Sequence, residues 1–200
     1  MMSERESYVT RKTKETEINV TLDLDGEGVY WIHTGMPFFD HMVQLLAKHA
    51  YFNLELTARG DLAVDGHHTV EDAGICLGQA IKKSLGDKTG ITRFGHAVVP
   101  MDDALVLVAV DLGGRGFFAF DVPMPVPRVG DFDTELVEEF LRAVAIRGEL
   151  NLHVRLLAGK NTHHIIEAIF KALACALKEA VAKSGWEGIP STKGTLVNPL

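Results

Sequence analysis

The pattern His-His-x-x-Glu occurs twice in this chain of 200 residues, from His67 to Glu71 in DGHHTVEDAG and from His163 to Glu167 in NTHHIIEAIF. The flanking residues match as well. LDLDGEGVYWI aligns with VDLGGRGFFAF so that Gly26 and Gly28 fall on Gly114 and Gly116, and DHMVQLLAKHAYFNLEL aligns with EEFLRAVAIRGELNLHV. A chain that repeats its own pattern builds the same unit twice. The sequence therefore reads as one domain over 1–200 made of two homologous halves, about 8–90 and 91–190.

Periodicity identifies the unit. Apolar residues alternate in TEINVTLDL, YFNLELTARG and LNLHVRLLAG, and ALVLVAVDL is an apolar run; each ends at Gly, Asp or Asn, and all predict strands. Spacings of three and four predict helices in MPFFDHMVQLLAKHA, HTVEDAGICLGQAIKKSLG, FDTELVEEFLRAVAIRG and HHIIEAIFKALACALKEAVAKSG, the second and fourth stopped by glycine. The order in each half is strand, strand, helix, strand, helix. The matched glycines mark a hairpin in which glycine permits positive φ. The fold class is α+β: an internally duplicated two-layer fold, each half a mostly antiparallel sheet with two helices. Either the four helices pack between the sheets or the sheets share one core.

Composition narrows the function. With 46% hydrophobic residues the chain can bury a core, and its net charge of -7 gives no global pull toward nucleic acid or anionic lipid. No apolar run approaches the ~20 residues of a membrane helix, and the amino terminus lacks the apolar stretch of a secretory leader. The expected location is the cytoplasm, with no membrane and no nucleic-acid partner. Cys76 and Cys175 stand far apart in alanine-rich surroundings and read as buried thiols rather than a disulfide or metal ligands.

The doubled motif carries the chemistry. Positions four apart share a helix face, so His67 with Glu71, and His163 with Glu167, can point at one ion. His68 and His164 point about 100° away and are placed to serve a second site, with ligands crossing between halves or between subunits. A single copy reads as a paired couple on a solvated face; two copies at matching places favour a metal. His41, at a helix start, and His153, within a strand, read as satisfied core histidines or as further ligands. Six imidazoles and two carboxylates then provide three histidines and one glutamate for each of two ions. That donor set suits manganese, iron, cobalt or zinc and does not choose among them.

Cations stand beside turns: Arg93 in GITRFGH, Arg115 in LGGRGFF, Lys171 one turn beyond Glu167, and the lysine of IPSTKGTL. Each alone reads as a surface cation. Together, glycine-flanked cations with Ser and Thr hydroxyls suit phosphoryl oxygens, and Lys171 would hold an anion near the ions.

TGMPFFDHM, DGHHTVEDAGICLGQAI, RFGHAVVPMDDAL, LHVRLLAGKNTHHIIEAIFKAL and IPSTKG resemble the signatures of the imidazoleglycerol-phosphate dehydratase family, from about Arg11 to the last ten residues. The resemblance implies a lyase of histidine biosynthesis that dehydrates D-erythro-imidazoleglycerol phosphate to imidazole acetol phosphate. It implies two manganese ions (Mn2+) per active site, other divalent transition metals being alternatives, and a homo-oligomer, a 24-mer with metal sites at subunit contacts. By the family pattern the metal ligands are His41, His67, His68, Glu71, His153, His163, His164 and Glu167. Arg93, Arg115, Lys171, Ser191 and Lys193 take the phosphate. The catalytic group is Glu15 for proton transfer, His49 lining the substrate pocket, and Glu71 and Glu167, which double as ligands. Two departures stand out. Gln44 lies three residues after His41, with Leu45 where the family has glutamine, and Gly116 follows Arg115 where the family has proline.

The implied reaction explains the site. No carbonyl acidifies the departing proton, so the imidazole ring must supply electrons. Held as imidazolate by two metals, it can expel the neighbouring hydroxyl through a diazafulvene-like intermediate, and proton loss then gives an enol that becomes the ketone. Asp102 in PMDDAL stays a structural candidate. A dinuclear metallohydrolase acting on a phosphoester is the alternative, but such sites normally use bridging carboxylates and the ligands here are mostly histidine. A metal-assembled shell protein would leave Glu15, Arg93, Arg115 and STKG without a purpose.

Overall fold

The duplication is visible in the order of the strands. A computed structural model describes residues 5–196. The first half runs β1 (Glu6–Lys12), β2 (Thr16–Asp23), β3 (Tyr30–His33), α1 (Pro37–Ala50), β4 (Asn53–Gly60) and α2 (His67–Leu85). The second runs β5 (Phe94–Met101), β6 (Ala104–Asp111), β7 (Phe117–Asp121), the short pair β8 (Arg128–Val129) and β9 (Phe132–Asp133), α3 (Leu136–Arg147), β10 (Asn151–Ala158) and α4 (Thr162–Val181). The sheets have the equivalent orders β1-β2-β4-β3 and β5-β6-β10-β7. Each is antiparallel except for its last pair, β3 with β4 and β7 with β10.

Three expectations change here. Each half opens with three strands rather than two, since the edge strands β1 and β5 precede the first predicted ones. The glycine connections are not hairpins: β2 and β3 lie on either side of β4, and β6 and β7 on either side of β10. Positive φ falls at Gly28 (75°) and Gly114 (81°), which are not matched in the alignment. Gly26 and Gly116 are needed for close approach instead; a Cβ there would lie 2.4 Å from the Asn53 amide nitrogen and 2.7 Å from Ile146 Cα. Finally, α2 stops at Gly86 as expected, but α4 ends before its glycine. Ala182 turns extended (φ -57°, ψ 142°) because its carbonyl accepts from the Thr92 amide at 2.8 Å, and the Ser184 amide donates to Gly90.

Alternation aims the sheets inward. Ile18, Val20 and Leu22 of β2 and Val106, Val108 and Val110 of β6 are buried, because every second side chain of a strand faces the helices. Helix α2 lies on β1 and β2, and α4 on β5 and β6; α1 then meets α4, and α2 meets α3, so the helices lie between the sheets. The halves interlock through Phe39, Phe140 and Phe170, whose rings are 5.1 Å and 5.6 Å apart in succession. Helix α3 fits closely on α2 because Gly74 and Gly78 carry no Cβ; one at Gly78 would lie 2.7 Å from the Val144 carbonyl oxygen. Cys76 is buried, with its thiol pushed up to about 11 by desolvation, whereas Cys175 is exposed, contrary to expectation, because it turns off the core-facing side of α4. Among the described residues no helix is long and apolar enough to cross a membrane.

Candidate metal and phosphate site

Each His-His pair opens a helix, His67 and His68 at the start of α2, His163 and His164 at the start of α4. The rings of a pair lie 6.2 Å apart at 88° in α2 and 6.1 Å apart at 82° in α4, so adjacent imidazoles diverge as helix geometry requires. Their second members share a further feature. Nδ1 of His68 lies 3.1 Å from Asp61 Oδ2, and Nδ1 of His164 lies 2.8 Å from Asp103 Oδ1. Glu15 approaches His68 Nδ1 at 3.9 Å, and Asp102 approaches His164 Nε2 at 3.4 Å.

Asp103 is held ionised. The His164 hydrogen bond and the amides of Lys160 and Asn161 lower its pKa to about 2. An ionised carboxylate only accepts, so Nδ1 of His164 carries the hydrogen that faces Asp103, and Nε2 is the nitrogen turned toward Asp102. In the other half, the hydrogen bond that His68 donates to Asp61 raises the His68 pKa against the effect of desolvation.

A second cluster forms where α1 meets α4. Glu167 is buried at 8% exposure, its Oε2 3.3 Å from His163 Nε2 and its Oε1 2.7 Å from the Lys171 ammonium. Desolvation raises the Glu167 pKa, but the Lys171 hydrogen bond and the charges of Lys171, His163 and His41 outweigh it and hold the carboxyl below its ordinary range. On α1, desolvation and the Lys171 charge push the His49 imidazole down. The edge of Phe38 packs on the His163 ring at 5.3 Å.

Glu15 stands exposed at the tip of the β1–β2 hairpin, and α2 fixes that tip. Buried Asp72 accepts from Arg11 Nε at 2.7 Å and from the Thr16 hydroxyl, while Thr13 Oγ1 accepts from the Glu15 amide at 3.0 Å.

A cavity of about 790 Å³ lies at the end of the second sheet, lined by Arg93, Arg115, Ser191 and Lys193 with Gly113 and Trp186. Arg93 is largely committed to the protein. Its Nε donates to Asp111 at 2.8 Å, its Nη1 donates to the Pro190 carbonyl at 2.7 Å, and its guanidinium lies over Phe94. It thereby ties the segment that carries Ser191 and Lys193 to β6.

The imidazoleglycerol-phosphate dehydratase family model matches residues 34–177. The chain is 76% identical to the imidazoleglycerol-phosphate dehydratase of Pelotomaculum thermopropionicum over 98% of this chain and 100% of that one. It is 65% identical to that of Desulforudis audaxviator, over 96% and 98%. The chain belongs to the imidazoleglycerol-phosphate dehydratase family. Solved dehydratase structures agree. The Staphylococcus aureus enzyme superposes with a TM-score of 0.80 at 40% identity, covering 88% of this chain and 98% of that one. The Pyrococcus furiosus enzyme superposes with 0.82 at 38% identity, covering 94% and 99%. As a member of the dehydratase family the chain is an enzyme, a hydro-lyase.

The expected dehydratase residues fall into separate groups. His41, His49, His163, Glu167 and Lys171 gather at the α1–α4 contact. His67, His68 and Glu71 sit in the first turns of α2, with His68 3.9 Å from Glu15. His153 is exposed on β10 with its ring 5.5 Å from Phe117, so it is no core histidine. Among the described residues, no three His, Cys, Asp or Glu side chains are grouped to hold a metal ion. Four of the five expected phosphate residues share one cavity; Lys171 is the exception, turned to Glu167. The departure at Gly116 has a local cause: a side chain there would meet the backbone of Ile146 at the end of α3.

Asp61, Asp103 and Asp111 were missed from sequence. One signal was present for Asp103. The alignment that sets Gly26 on Gly114 also sets Glu15 on Asp103, so both halves bring a carboxylate before their second strand toward the second histidine of the pair.

Proposed function

We propose that this chain dehydrates D-erythro-imidazoleglycerol phosphate to imidazole acetol phosphate in histidine biosynthesis, in the cytoplasm, at a site holding two divalent metal ions, manganese by family resemblance. The observation that carries the reading is the orientation of His68 and His164. Each turns Nδ1 to a carboxylate and so presents Nε2, the arrangement of a metal-ligating histidine supported from behind. The rest of the donor set, imidazole and carboxylate, fits such ions.

His41, His67, His68, Glu71, His153, His163, His164 and Glu167 would hold the ions. The proposal includes a 24-subunit assembly in which neighbouring chains complete each ligand shell, as the dispersal of these residues within one chain calls for. Bound ions would act as Lewis acids toward the imidazole nitrogens of the substrate.

The chain's own residues do the remainder. Arg115, Ser191 and Lys193 grip the phosphate and so orient the three-carbon chain, while Arg93 fixes the segment bearing two of them. Glu15 takes the proton from the carbon that bears the second hydroxyl, from a hairpin tip held rigid by Asp72. His49, whose depressed pKa keeps it neutral near pH 7, lines the pocket.

Incubating metal-loaded protein with imidazoleglycerol phosphate tests the reading. Formation of the ketone supports it. Release of inorganic phosphate instead would assign the chain to the phosphoester hydrolases.

A further inference from the structure

Lys88 is the most buried cation of the described residues, at 3% exposure. Among the described residues no hydrogen bond or ion pair reaches its ammonium, although every other buried charged side chain, Asp72 and Glu167, has close partners. The ammonium borders a cavity of about 540 Å³ between the ends of α2 and α3. Lys82, Lys83 and Arg147 line the same cavity, against the single carboxylate of Glu149. Lys82 already pairs with Glu149 at 2.6 Å, and Lys83 donates to the Tyr8 carbonyl at 3.3 Å, so among the described residues Lys88, Lys83 and Arg147 have no carboxylate in an ion pair. In a chain of net charge -7 such a concentration of cations around one hollow is local and unbalanced.

The Lys88 stem is buried while its ammonium opens onto the cavity, so an anion entering there would gain a charge-assisted hydrogen bond from it. Desolvation lowers the Lys88 pKa, as do the charges of Lys82 and Arg93, while Glu149 and Asp111 act in the other direction. The cavity has ample room for a tetrahedral oxyanion, and Lys88, Lys83 and Arg147 all line it, Lys83 on giving up its bond to the Tyr8 carbonyl. None of the residues named for the metal ions or for the substrate phosphate lines this hollow. Leu196 alone borders both it and the cavity of Arg115 and Lys193.

We infer that the hollow around Lys88 is a second anion site, built for a small phosphate-class oxyanion held by Lys88, Lys83 and Arg147. The inference does not depend on the dehydration chemistry.

Calorimetric titration of inorganic phosphate into the full-length protein tests it, with citrate as a second probe. Two phosphates per subunit are expected. Lys193→Ala should remove the one in the Arg115 cavity, and Lys88→Gln should weaken the other about tenfold or more. Lys83→Ala combined with Arg147→Ala provides the same reading from exposed positions should Lys88→Gln fail to fold, and should weaken the same site. A single phosphate per subunit, lost in Lys193→Ala, overturns the inference. So does a second site unchanged in both the Lys88 and the double variant, and so does binding of citrate without phosphate.

Discussion

Asp103 Oδ1 sits 2.8 Å from Nδ1 of His164, and this one contact fixes which nitrogen of the imidazole faces outward. Its counterpart, Asp61 on His68, does the same in the other half at 3.1 Å. Neither aspartate is an expected ligand, yet both set the tautomer of one. Removing such a support typically lowers metal affinity about 10–100-fold. Asp103→Asn and Asp61→Asn are therefore expected to lose manganese to a chelator at that much lower chelator concentration, with unchanged circular dichroism. Affinity equal to the parent in both variants would show that the aspartates do not tune the ligands.

How legible this was from sequence depends on distance along the chain. The four helices and four of the strands carry their signal locally, in spacings within a dozen residues, and His67, Glu71, His163 and Glu167 could be paired because a helix places i and i+4 together. The parallel pairing of Tyr30–His33 with Asn53–Gly60 has no local signature, and the glycines between Asp23 and Tyr30 imitate a hairpin. Asp103 lies 61 residues from His164, brought in by the fold rather than by spacing. Spacing also could not say which partner Lys171 meets: one face of α4 offers it both an anion site and Glu167, and in this structure its ammonium lies 2.7 Å from the buried Glu167 carboxylate.

Two histidines of the metal-free chain should titrate on opposite sides of 6.5. The Asp61 hydrogen bond raises His68, and desolvation with the Lys171 charge lowers His49. The sign for stability follows. What His68 contributes is fully present below 6.5 and lost as pH rises through its raised value. What neutral His49 contributes is present above 6.5 and lost as pH falls through its lowered value. Proton NMR of the two imidazoles gives both midpoints, and Asp61→Asn should move only the His68 midpoint down. Coincident midpoints would contradict the geometry.

Lys193 and Lys171 should separate in kinetics. Lys193 lines the cavity proposed for phosphate, so Lys193→Ala is expected to raise KM tenfold or so with metal content unchanged. Lys171 touches Glu167 at 2.7 Å, and without its ammonium the carboxyl keeps the desolvation that raises its pKa. Lys171→Met should therefore weaken manganese binding and shift the acid limb of the activity profile to higher pH. An effect of Lys171→Met on KM alone would return this lysine to the phosphate.

Glu15 and Asp72 should differ in kind although the same hairpin joins them. Glu15→Gln keeps the shape of the tip but cannot take a proton near neutral pH, so kcat should fall about a hundredfold or more with KM and metal content little changed. Asp72 makes no contact with substrate in this reading. It anchors Arg11 and the Thr16 hydroxyl, and Asp72→Asn leaves the guanidinium with a neutral partner and Thr16 with a weaker acceptor. Loss of a buried charged contact of this type costs about 1–3 kcal/mol, so the thermal midpoint of the metal-free chain should drop. A looser tip also spends less time with Glu15 in line for the proton, so kcat should fall as well, by less than in Glu15→Gln. The deciding measurement is the double variant. If Asp72 acts through Glu15, Asp72→Asn should cost kcat little further once Glu15 is Gln, while still lowering the thermal midpoint. Fully multiplicative losses in kcat would show that Asp72 influences turnover by another route.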